Sequence, residues 1–223
     1  IHFLDPIAKG DTVWVVNPQD VAIIGRLFNK GVYDASRTIA LTGSEVKTPK
    51  YFKTIIGASL KNLFAEEVKE GNNRYISGNV LTGAKIEKDG YLGFYSNQLT
   101  VIPEGGEDQF MGWITPNLDK FSASRTMFSW LQPNKRYVLD TSMNGEPRPF
   151  VMTSEFDKVF PFHIYPVQLL KSILINDIEL MEELGIYEVV PEDFALCETI
   201  STSKIACQEI VREGLQAIRK EMA

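Results

Sequence analysis

Few residues in this chain are of the types that do chemistry, and none falls at a spacing that chemistry requires. There are two cysteines, Cys197 and Cys207, and two histidines, His2 and His163. Zinc takes three or four ligands, and neither histidine has a second His or Cys at metal spacing. Each reads as a satisfied or exposed ring. Cys207 lies on an apolar helical face and reads as core. Nothing basic flanks Cys197, and Glu198 beside it would raise the thiol pKa rather than lower it. The acidic pairs Glu66-Glu67, Glu182-Glu183 and Glu192-Asp193 read as solvated faces or helix starts, because a general-acid pair needs converging geometry. No nucleophile elbow, phosphate loop or triad order stands out. The residues themselves nominate no catalytic, cofactor-binding or metal-binding side chain.

The totals narrow the class. A chain of 223 residues makes one large domain or two to three small ones, and 44% apolar residues is enough for a sizeable core. A formal charge of −6 and a pI near 5.1 argue against nucleic acid, which wants a basic face. A membrane span needs about 18 apolar residues in a row, and none is present. The longest apolar cluster, from Val167 to Ile178, is interrupted by Gln168, Lys171, Ser172, Asn176 and Asp177. Two cysteines make no disulfide framework, which points to a reducing cytoplasmic setting. No internal repeat or low-complexity segment is visible.

The elements follow from local pattern. Thr12 to Val16 predicts a short strand. Asn17-Pro18-Gln19-Asp20 predicts a helix start, with Val21, Ile24, Leu27 and Phe28 at helical spacing and Gly31 as the stop. Arg37 to Thr42 alternates and stops at Gly43, and Tyr51 to Ile56 makes a second strand stopped by Gly57. Ser59 is placed to cap a short helix carrying Leu60, Leu63 and Phe64, closed by Asn72-Asn73. Arg74 to Ile76 and Val80-Leu81 look extended. Hairpin, helix and returning strand make a small β-grasp-like unit. Beyond it, Tyr91 to Tyr95, Gln98 to Ile102, Phe110 to Ile114 and Tyr137 to Leu139 are strand candidates, Pro103 to Glu107 is a turn, and Lys120 to Trp130 is ambiguous. Phe94, Tyr95, Phe110, Trp113, Phe121, Phe128 and Trp130 read as core and sheet packing in preference to a quinone-sized slot. Met143 to Pro149 is loop. From Pro166 the chain is helical: one helix from Pro166, a second capped by Asp177 and stopped by Gly185, a short third from Val190, and a last from about Lys204. The last carries a stripe of Cys207, Ile210, Val211, Leu215, Ile218 and Met222.

The order L-T-G, x-P, I-G-A-S-L and S-G-x-x-L-T-G between Leu41 and Gly83 resembles the SLBB (soluble-ligand-binding β-grasp) domain. With HFLDP before it and YLGFYSNQLTVIPEG after it, the chain resembles the A-type subunit of the bacterial Na+-translocating NADH:quinone reductases. The chain opens at Ile1 with no Met and no targeting sequence, so it is expected to be the C-terminal half of a longer polypeptide. The resemblance implies an α+β chain in four parts. These are 1–33, the tail of a Rossmann-like α/β domain; 34–88, an SLBB-type β-grasp domain; 89–149, a β-rich connecting region; and 150–223, a C-terminal helical domain like a cluster-less ferredoxin. The strand–helix turn near residue 17 carries no G-x-G-x-x-G, so no phosphate loop is expected here.

The helical tail is similar to the double-cluster ferredoxin-like tail of the C-type subunit of the Rnf electron-transport complex. Bacterial-type clusters use C-x2-C-x2-C-x3-C-P. Laid on this chain, one ligand set falls on Phe150, Thr153, Phe156 and Phe160, with Pro161 keeping the proline place. The other falls on Pro191, Phe194, Cys197 and Ser201, with Thr202 where the proline belongs. Ser203-Lys204-Ile205 and the following helix keep their places. Only Cys197 survives of eight thiolates, and a cubane needs a thiolate on each iron. Phenylalanines at ligand positions imply that apolar volume replaced the cluster.

The resemblance implies a peripheral, cofactor-free part of a redox-driven sodium pump, on the cytoplasmic side of the bacterial inner membrane. Its expected roles are assembly with the other subunits and quinone access. Flavins, iron centres, NADH and quinone (ubiquinone) are implied for the whole complex, which is an enzyme, and not for this chain. A more distant resemblance reaches the flavin- and NADH-binding subunit of respiratory complex I. The alternative is a β-grasp module binding a small ligand or polysaccharide, without a redox role.

Overall fold

Alternation in Ser36–Thr42 makes β1, which buries Arg37, Ile39 and Leu41 along one face. In the computed structural model, which describes residues 2–106, 110–112, 117–123 and 125–222, β1 joins β2 (Lys50–Ile55), β3 (Asn73–Ser77), β4 (Ala84–Ile86) and β5 (Gln98–Pro103). The sheet order is β2-β1-β5-β3-β4. Strand β1 runs antiparallel to β2 and parallel to β5, with Ala40 opposite Gln98 and Thr42 opposite Thr100. Strand β3 pairs antiparallel with both β5 and β4. The crossover from β2 back to β3 carries helix α2 (Lys61–Glu67), so the β-grasp arrangement is present. Ile39, Leu41, Val46, Leu60, Phe64, Val68, Leu99 and Val101 form its core. Gly43 ends β1 at φ +117°, and a Cβ there would lie 1.9 Å from the Val101 carbonyl oxygen. Only glycine fits that approach.

The chain divides into two compact units, Val15–Asn144 and Ile1–Trp14 with Gly145–Ala223. In the first, helix α1 (Pro18–Lys30) begins and stops as its sequence predicts, with Gly31 left-handed and its N–H on the Leu27 carbonyl. Asn17 caps through its backbone carbonyl, which accepts from Asp20 and Val21, and not through its side chain. Ile23 is the buried residue of α1, while the predicted apolar stripe of Val21, Ile24, Leu27 and Phe28 faces outward.

Several local expectations are corrected. Thr12 to Val16 forms no strand, pairs with none in the sheet, and leaves Trp14 and Val15 exposed. Helix α2 starts one residue after Leu60, and Ser59 Oγ accepts only a long bond from the Lys61 amide at 3.4 Å. It ends at Glu67, not Asn72, because Val68 turns extended and bridges to Val46. Val80-Leu81 is a turn, since Asn79 Oδ1 accepts from both the Leu81 and Thr82 amides at 2.8 and 2.9 Å. Strand β4 follows it unforeseen. Residues 89–149 hold one strand among the described residues, β5, and it belongs to the β-grasp sheet. Tyr91 to Tyr95 contributes only a single bridge from Tyr91 to Ser59, and Tyr137 to Leu139 is irregular. Phe110 to Gly112 is turn, and Trp113 and Ile114 lie outside the described residues, as does Glu107 of the predicted turn. Within Lys120 to Trp130 a 3-10 turn forms at Phe128–Leu131.

The second unit is helical. Helix α3 (Pro166–Leu174), α4 (Ile178–Glu183), α5 (Ala195–Ile200) and α6 (Cys207–Glu221) enclose one core with Phe156, Phe160, Leu169, Leu170, Met181, Ile186 and Phe194 fully or nearly buried. Asp177 Oδ1 caps α4 by accepting from the Leu180 amide at 3.1 Å. Helix α6 buries Cys207, Val211, Gly214 and Ile218, half-buries Ile210 and Leu215, and leaves Met222 exposed. Gly214 is needed there: a Cβ would stand 2.8 Å from Ile173 on α3. Residues 2–14 belong to the same unit, through His2 and Phe3 on Phe162 and Lys9 on Glu182.

Candidate functional site

The eight positions on which the ferredoxin ligand pattern was laid fall in the helical unit, and five of them meet. The 3-10 turn Phe156–Lys158 and the turn Pro191–Phe194 leading into α5 bring Phe156, Phe160, Phe194 and Cys197 into one buried cluster, with Phe150 half-buried against it. Phe160 packs on Phe194 at 4.7 Å between ring centroids, and Phe150 on Phe156 at 6.0 Å. Cys197 Sγ lies 4.0 Å from the Phe156 carbonyl oxygen. Ser201 is buried nearby; its Oγ accepts from the Ile205 amide at 3.1 Å. Thr153 and Pro191 stay outside the cluster: Thr153 Oγ1 accepts from the Glu155 amide, and Pro191 opens its turn.

Electrostatics keeps both thiols protonated. Burial pushes the Cys197 thiol up to about 12, and the Asp157 carboxylate adds to it. Cys207 is likewise pushed up to about 12 by burial, with Cys197 and Glu198 adding. So Glu198 acts on Cys207, while the charge bearing on Cys197 is Asp157. A metal or a nucleophilic reaction needs thiolate. One protonated thiol walled by phenylalanine rings does not fit an iron–sulfur cluster. Among the described residues no group of three or more His, Cys, Asp and Glu is placed to hold a metal ion. No helix there is long and apolar enough to cross a membrane.

The other candidates are engaged elsewhere. His2 Nδ1 meets Glu188 Oε2 at 2.5 Å, and His163 is exposed beside Phe3. Glu182 accepts from Lys9 and from the Tyr187 hydroxyl, which hold its carboxyl below the usual range. Glu67 pairs with Lys50 at 2.7 Å, and Asp193 accepts from the Val190 amide at 2.9 Å. The aromatics expected to pack in a sheet are instead on the surface. Phe94, Tyr95, Phe110, Phe121, Phe128 and Trp130 are each about half exposed or more, and Trp113 lies outside the described residues. Their segments make no strands, so no sheet face covers them.

Sequence reasoning missed a polar hub in the first unit. Arg37, 3% exposed, donates to the Asp20 carboxylate on α1 and to the Phe94 carbonyl, and its guanidinium stands over the Phe94 ring at 5.5 Å. Its Nε has no partner among the described residues. Beside it Gln19 pairs with Thr38. The signal was available: Arg37 sits on the same alternating face as Ile39 and Leu41.

The sheet and its crossover helix are consistent with an SLBB domain, and residues 38–88 match the model described as the NQRA C-terminal domain. Residues 1–33 match the NqrA second alpha/beta domain. Over 99% of its length the chain is similar to proteins named as the A-type subunit of the Na(+)-translocating NADH-quinone reductase. Identity is 40% to that of Pasteurella multocida strain Pm70, 41% to that of Haemophilus influenzae strain PittGG and 38% to that of Neisseria meningitidis strain FAM18. The chain spans about half the length of these relatives, 49 to 50%. The resemblance to this family seen in the motifs is thereby borne out.

Proposed function

We propose that this chain is a peripheral, cofactor-free part of a sodium-pumping NADH:quinone oxidoreductase, serving assembly with the other subunits and quinone access. The similarity across 99% of the chain to the A-type proteins of that reductase carries the reading. On it, the complex lies at the bacterial inner membrane with this chain on the cytoplasmic face, and the flavins and iron centres belong to other subunits. The tail 150–223 is a ferredoxin-like helical domain whose cluster space has been filled. In a two-cluster ferredoxin the fourth cysteine of each run ligates the other cluster. Phe160, the fourth position of one set, packs on Phe194 of the other, which supports that origin. Helix α1 is the end of a Rossmann-like domain, and its outward Val21, Ile24 and Phe28 suit a face covered by the rest of such a domain.

The test is co-purification. The chain, expressed with the membrane subunits of the reductase, is expected to be pulled down with them, and a chain lacking 151–223 is not. Capture of a sugar or other small soluble ligand with no membrane partner would overturn the reading. Stoichiometric iron in the purified chain would overturn the filled-cluster part of it.

A further inference from the structure

A cavity of about 20 Å³ lies beside Arg37, walled by Gly57, Ala58, Leu60, Gly93 and Phe94 among others. We propose that it is a built site for one ordered water that accepts the Nε–H of Arg37. Three observations converge. The Arg37 side chain is 3% exposed, and Nε finds no acceptor among the described residues. A buried guanidinium N–H is strongly driven to find one, because leaving it bare forfeits its hydration without return. Arg37 is itself among the residues lining the cavity, whose volume exceeds the roughly 10–15 Å³ that a single water occupies.

Size and charge choose the occupant. The space is too small for a ring or a carboxylate. A halide is small enough, but the Arg37 charge is already matched by the Asp20 carboxylate bonded to it. A buried anion would leave one negative charge in excess, which a neutral water does not. Gly57 puts no side chain on the wall and Thr54 brings a hydroxyl-bearing residue to it, whereas the Gly93 amide and carbonyl are already bonded to Ser77 Oγ and the Ser96 amide. Further partners for the water therefore come from the 54–57 side. The water joins Arg37 to the turn after β2, and thus extends a hub already tied to α1 and, through the Phe94 carbonyl, to the 92–94 loop.

Crystals of the full chain, one set grown in chloride and one soaked in bromide, decide it. The expected result is a density peak about 3 Å from Arg37 Nε with no bromide anomalous signal. A bromide peak at that place would make it an anion site, and an empty cavity or an Nε bonded to a protein carbonyl would remove the site. Each of these outcomes overturns the proposal.

Discussion

The side-chain amide of Gln19 hydrogen-bonds both backbone groups of Thr38: its Nε2 donates to the carbonyl at 2.8 Å, and the Thr38 amide donates to its Oε1 at 2.8 Å. Pairing of β1 with β5 begins only at Ala40, so the Gln19 amide takes the place a strand would fill. Gln19→Ala leaves both groups to water. At about 0.5–1.5 kcal/mol net per bond the expected loss is about 1–3 kcal/mol, read from denaturant midpoints. Hydrogen exchange at the Thr38 amide should quicken. Gln19→Glu keeps the acceptor but sets a carboxylate against a carbonyl, so it should not restore the loss.

Phe194 is wholly buried against Phe160 in the helical core. Truncating it removes a ring and leaves a hole that the surrounding turns close only in part. Phe194→Ala is expected to cost about 3–5 kcal/mol, and Phe194→Leu markedly less. Calorimetry of the two variants checks the order; equal losses would mean that the site collapses freely.

Glu104 is held at about 2 by the Arg74 guanidinium, with the Thr141 hydroxyl and Lys85 assisting. Its Oε2 accepts from Arg74 Nε at 3.0 Å, and Oε1 accepts from Nη2. The folded pKa is depressed, so this stabilisation is present above the unfolded value of 4.5 and is lost as pH falls from 4.5 toward about 2. Urea midpoints taken across that range should fall for the wild-type chain and fall less for Glu104→Gln, which starts lower.

Cys197 and Cys207 titrate near 12 when folded, against 9.0 for a free thiol. At about pH 8, close enough to the free-thiol value for an exposed thiol to react as thiolate, an aromatic disulfide reagent is expected to find neither thiol in the native chain. It should find both after unfolding in guanidinium. Because the folded pKa is raised, their contribution is whole below 9.0 and is lost as pH climbs toward about 12. The Cys197→Ala/Cys207→Ala double variant should show a shallower decline over that range.

How far the sequence carries depends on how local the cause is. Strands β1, β2 and β5 were legible because alternation and a following glycine or proline act within a few residues. Helices α3, α4 and α6 were legible from stripes, caps and stops of the same reach. Strand β4 is three residues long and exists only because β3 offers it an edge. Helix α2 stops early because Val68 finds Val46, a partner 22 positions away in the chain by their numbering. The bonds from Arg37 to Asp20 and Phe94 span 17 and 57 positions, which no window of periodicity reports. The surface aromatics were misjudged for the reverse reason. Burial was assigned from residue type, but burial requires a partner face, and their segments build none.

Residues 2–14 share a unit with 145–222, while 15–144 form a unit of their own. During synthesis the interposed β-grasp segment emerges whole and is free to fold as the ribosome moves on. Residues 2–14, made before it, must wait until α4 and the Ile186–Glu188 turn exist before His2 and Lys9 have anything to hold. That closure joins positions separated by 186 and 173 in sequence, a long loop to close late. What leaves the ribosome ahead of the β-grasp segment is therefore placed after it.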